Sequence, residues 1–134
     1  MSNLVQPNAF LRRVLIADSA VSSAVGVLLA AAAGPLQRLL GLPPSLLTLA
    51  GLSLLPYAAY LVWLATRRTV PRAAVWVPIV LNVVWAVDCV IVGFDGAFSP
   101  SGLGEVFLVV QIMTVLAFAE LEFIGLRRAA VVAP

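Results

Sequence analysis

Four apolar runs of about 20 residues, each closed by arginines, prolines or glycines, constrain this chain more than any other feature. A hydrocarbon core about 30 Å thick needs that length of α-helix to cross it. The spacing predicts helices over about residues 10–33, 46–66, 73–94 and 105–126. Gly34-Pro35 stops the first, and Gly41, Pro43 and Pro44 break the loop that follows, with Ser45 placed to cap the second helix. The segment from Arg67 to Arg72 reads as a tight basic turn, and the polar stretch from Asp95 to Gly104 separates the last two helices. Pro56 and Pro78 fall inside spans, where neighbouring helices can satisfy the carbonyls they free, so kinks rather than breaks are expected.

Composition agrees, with 63% hydrophobic and 10% charged residues against about 45–50% and 25% in soluble domains. The 134 residues fit one membrane-embedded domain, 1–134, with no separate soluble unit expected. Arg12 and Arg13 ahead of an apolar run imitate a secretory signal. The run from Val14 to Ala33 is 20 residues, however, longer than a signal core of about 7–15, and it carries Asp18, so it is read as a retained helix.

Orientation follows from the arginines. Arg12, Arg13, Arg67, Arg68, Arg72, Arg127 and Arg128 fall on one side and only Arg38 on the other. The positive-inside bias predicts an all-α, antiparallel bundle of four transmembrane helices in a bacterial inner membrane, with both termini cytoplasmic. Phe10, Trp63, Trp76 and Phe123 flank the inner boundary, and Phe94, Phe98 and Phe107 the outer one. The arginines sit at helix ends rather than on one face, so no nucleic-acid partner is expected. Arg12 and Arg72, and Arg67 and Arg127, are each 60 residues apart, a regularity that two hairpins of equal length produce without any duplication.

Several chemistries drop out. Cys89 is the single cysteine and there is no histidine, which excludes a thiol–disulfide relay, bis-histidine haem and zinc chemistry within one chain. No nucleotide loop or serine-nucleophile motif occurs, so no catalytic residue, cofactor or metal site is assigned.

The polar residues inside the spans carry what functional signal there is. An unpaired charge at the bilayer centre costs about 2.5–3.5 kcal/mol, so Asp18, Asp88, Glu120 and Glu122 should not face lipid. Counted from the nearest arginine, Asp18, Tyr60, Glu120 and Glu122 lie about 7–10 Å deep. They form an inner layer that arginines could brace or that could bind a ligand or proton. Glu120 and Glu122 are about 200° apart on a helix, and Glu120 is expected to face Asp18 and Tyr60, with Glu122 turned to the headgroups. A second, deeper group holds Tyr57, Ser53, Asn82, Asp88 and Gln111; Asn82, Trp85 and Asp88 share one stripe whose aromatic ring could hold a cation or a flat apolar ligand. Ser22, Gly26, Ala30 and Gly34 make a small-residue stripe suited to close helix packing within the bundle, or to a homodimer seam.

Three functions fit. The first is a lipid- or lipophile-binding protein, or an accessory subunit of a larger membrane complex. The second is a proton- or cation-coupled transporter acting as a homo-oligomer: in size, helix number and an acid in the first helix the chain is similar to the small multidrug exporters, although the arginine bias departs from their inverted insertion. The third is an acid–base isomerase on a lipophilic substrate. In architecture and paired intramembrane acids the chain is similar to four-helix sterol isomerase-like proteins. Vitamin K epoxide reductase-like enzymes need paired cysteines and are excluded.

Overall fold

A computed structural model of the chain describes residues 3–131; Met1, Ser2 and residues 132–134, the two extreme ends of the expected domain, lie outside the described residues. Helices α1 (Ala9–Ala31), α3 (Pro44–Thr66), α4 (Arg72–Phe94) and α5 (Gly102–Arg127) are each long and apolar enough to cross a membrane. Their lengths of 23 to 26 residues correspond to about 34–39 Å. Much of their outer surface is aliphatic: Val80, Val83, Val87 and Ile91 of α4 are each about half exposed, a face that lipid solvates and water does not.

Local chemistry sets the helix ends. The Asn8 side chain accepts from Leu11 N at 2.7 Å to cap α1, and its amide donates to the Gly125 carbonyl of α5 at 3.1 Å. Ser101 caps α5 through Gly104 N at 3.0 Å and donates to the Leu39 carbonyl at 2.6 Å. Ser45 is not the cap expected of it: α3 starts two residues earlier than expected, with Pro43 at the cap position and Pro44 in the first turn, where a missing N–H costs nothing.

Two features depart from the expected four-helix pattern. The stretch after α1 is a fifth helix, α2 (Ala33–Leu40), entered through a bend at Ala32; Pro35 falls in its first turn, so it begins a helix here instead of ending one. Strands β1 (Leu4–Gln6), β2 (Val70–Pro71) and β3 (Ala130–Val131) form a small sheet in the order β2-β1-β3, both pairings antiparallel. The sheet gathers the segment before α1, the α3–α4 turn and the segment after α5 at one end, and with them the seven arginines that the sequence assigns to one side.

At that end Arg67 stacks on Trp63, Arg127 on Phe123 and Arg128 on Phe10, with guanidinium-to-ring distances of 5.2, 5.7 and 5.9 Å.

Helix α1 packs along α3 and α4 along α5; the two pairs meet mainly through α1 and α5, while α3 and α4 barely touch. The α1–α3 crossing depends on Gly26 and Gly51. A Cβ on Gly51 would lie 2.6 Å from both Ala30 N and Gly26 O, and one on Gly26 would lie 2.9 Å from Gly51 O. The small-residue stripe is thus used inside the bundle up to Ala30, whereas Gly34 has open space around it. Pro56 and Pro78 lie within unbroken helices.

Candidate functional site

Apolar clusters fill both ends of the bundle and leave a polar layer between them. One cluster centres on Leu11, Leu15, Leu61, Leu64, Val75, Ile79 and Leu126, the other on Leu29, Leu40, Leu42 and Leu47 with Phe98 and Phe107. Every long helix therefore reads apolar, polar, apolar along its buried face, and the polar residues of four helices arrive at one level.

Asp18 is the hub. It is 2% exposed, and Ser22, one turn further along α1, donates to Oδ1 at 3.1 Å. Tyr57 of α3 donates its hydroxyl to Oδ2 at 2.8 Å, and the Asn82 amide of α4 donates to the same oxygen at 3.1 Å. The Asn82 nitrogen also donates to Glu122 Oε1 of α5 at 2.9 Å, so one amide hydrogen serves each of two carboxyls. Ser19 fastens α1 to α3 alongside, donating to the Ala58 carbonyl at 2.9 Å. Glu122 is fully buried, and among the described residues its Oε2 has no hydrogen-bond partner. Among the described residues no arginine bonds to either carboxyl; Arg12 instead donates to the Arg67 carbonyl at 3.1 Å. Bracing of these acids by arginine, one of the two expected roles, is not what holds them.

Two expectations about the layer need correction. Glu120 is exposed, and Glu122 is the acid that faces Asp18. The face of α5 turned to α1 is set by Ala119, Gly125 and Leu126; a Cβ on Gly125 would lie 3.0 Å from Leu11, and Glu122 sits one turn from Gly125 on that face. Tyr60 does not join the site either. Its hydroxyl donates to the Ala74 carbonyl at 2.7 Å, the group that Pro78, four residues on, cannot bond. Tyr60 thus repairs a proline defect, and Tyr57, one turn away, takes the role expected of it.

Asp18 and Glu122 of the inner group and the deeper polar residues, expected at separate depths, form one continuous system. Asn82, Trp85 and Asp88 lie along one stripe of α4, and all three line a cavity of about 270 Å³ together with Asp18, Ser22, Ser53, Tyr57, Gln111, Thr114 and Phe118; Asp88, expected to be turned away from lipid, is exposed. Trp85 Nε1 donates to Gln111 Oε1 at 3.1 Å, which ties α4 to α5. An adjoining cavity of about 440 Å³ shares Ser53, Trp85, Asp88 and Gln111 and is otherwise walled mainly by apolar residues such as Leu46, Ala50, Ile91, Val92 and Phe107. Its walls include facing stretches of α3 and α4, the two helices that barely touch.

No family model, curated protein or solved structure matches this chain.

Two carboxyls joined through one amide, with a phenol on one of them, can hold a proton or receive a hydrogen-bond donor or cation away from water. Sequence reasoning missed Ser22 as a partner of Asp18, although its spacing of four residues was a usable signal. It also missed Thr114 and Phe118 as cavity residues, for which α5 offers no signal because its apolar residues run all round the helix.

Proposed function

We propose that this is a lipophile-binding integral membrane protein of a bacterial inner membrane, an antiparallel bundle with both termini in the cytoplasm. An apolar ligand enters between α3 and α4 from the surrounding lipid and presents its polar end to the Asp18 layer. The observation that carries this reading is the pair of adjoining cavities, mostly apolar and ending on a buried polar network. Their volumes of about 440 and 270 Å³ suit a small ligand, since binding pockets run to about 300–1,000 Å³ and combine apolar walls with a few convergent polar groups. The seven arginines at the sheet end support the orientation.

Native mass spectrometry of the protein released from lipid nanodiscs tests the reading. A retained lipophilic ligand is expected, and Ser53→Phe, which fills space lining both cavities, should abolish its retention without lowering the melting temperature. A ligand-free wild type that co-purifies with a larger membrane complex would favour the accessory-subunit reading instead.

The sharing of Asn82 between Asp18 and Glu122 favours one second reading, acid–base isomerisation of the bound lipophile. Conversion of a captured ligand to an isomer by wild type but not by Asp18→Asn separates catalysis from binding.

A further inference from the structure

We infer that the ligand is a lipophilic monocation, an amine or quaternary ammonium with an apolar tail, whose charged head lies in the smaller cavity beside Asp18. This rests on the lipophile-binding reading and adds the charge of the ligand to it. The charged side chains lining the two cavities are the acids Asp18 and Asp88, and no arginine lines either one. The arginines gather at the sheet end, where Arg67, Arg127 and Arg128 rest on aromatic rings. An anionic head would meet like charge with no counter-ion in reach.

The buried layer also accepts more than it is given. The two carboxyl groups receive four hydrogen bonds, from Ser22, Tyr57 and the two hydrogens of Asn82, and have acceptor sites beyond these. Glu122 is fully buried and bonded into the layer through Oε1, and among the described residues its Oε2 has no hydrogen-bond partner. Glu122 does not line the cavity and is joined to it only through Asn82, so Asp18 and Asp88 are the acids that a cationic head meets. Tyr57, Trp85 and Phe118 line the same cavity and supply the ring faces that ammonium groups favour. A small inorganic ion fits less well, because about six oxygen ligands are needed for a hard cation and the surrounding walls are largely apolar.

The test uses the full chain in nanodiscs of zwitterionic lipid, with Trp63→Phe and Trp76→Phe so that Trp85 alone reports by fluorescence. The probes are octyltrimethylammonium and its uncharged carbon isostere, the same octyl chain ending in tert-butyl, with concentrations expressed per lipid. Saturable quenching by the ammonium is expected at a concentration about tenfold lower than by the isostere, the preference that a carboxylate and desolvated ring faces provide. Asp18→Asn should bring the two probes together while leaving the isostere where it was. If Asp18→Asn does not fold, Asp88→Asn, which lies outside the buried network, carries the same test and should lower the preference about threefold. Equal binding of the two probes to wild type, or a preference that survives the substitution, overturns the inference and leaves the lipophile reading standing. Saturable binding of neither probe overturns both.

Discussion

Replacing Asn82 with leucine tests the bridge between the two acids directly. Leucine has nearly the same bulk, so packing is largely kept while both amide donors, at 3.1 Å from Asp18 and 2.9 Å from Glu122, are removed. Interhelical hydrogen bonds in membranes contribute about 0.6 kcal/mol each and at most about 1.7, so the two bonds alone account for roughly 1–3 kcal/mol. A second effect is of similar size. Asp18 keeps Ser22 and Tyr57, but Glu122 is left buried with neither oxygen partnered, and an unsatisfied buried polar group costs about 1–3 kcal/mol. The expected loss is therefore at least about 2 kcal/mol. Adding Glu122→Leu removes the orphaned acid, so the double variant should be more stable than Asn82→Leu alone. Unfolding in detergent can be followed by reaction of the buried Cys89 thiol, which needs no new label. A loss under about 0.5 kcal/mol, or single-variant losses that add within about 0.5 kcal/mol, would refute the reasoning.

Gly51→Ala should destabilise by about 1–3 kcal/mol, because its Cβ meets backbone atoms of α1 that cannot swing aside, while Gly34→Ala in open space should be neutral or slightly stabilising by the same assay. Glu120→Gln on the exposed face should leave both melting temperature and probe binding unchanged, whereas Glu122→Gln should alter binding; the reverse pattern would mean that α5 is rotated from the orientation described. Tyr60→Phe should cost about 1 kcal/mol by freeing the Ala74 carbonyl, and Pro78→Ala should rescue it by restoring the helical bond. A periplasm-active reporter fused after Pro134 should be silent and one inserted near Ser99 active, and activity at Pro134 would reverse the orientation.

Sequence alone determined the number and limits of the long helices and the grouping of arginines at shared helix ends. Those follow from length, apolarity and charge, which each segment carries independently of its neighbours. The expected spans of 10–33, 46–66, 73–94 and 105–126 differ from α1, α3, α4 and α5 by at most three residues at any end. The three-stranded sheet was not legible, because strands of two or three residues carry no periodic signal and form only when α1, α3–α4 and α5 bring them together. The choice between Glu120 and Glu122 was also closed to the sequence: α5 is apolar on every side, so only the fit of Gly125 against Leu11 decides which acid turns inward. The same holds for Tyr57 and Tyr60, which are one turn apart and chemically alike; the proline defect at Pro78 claims one, Asp18 claims the other, and that division exists only once α3 is set against α1 and α4.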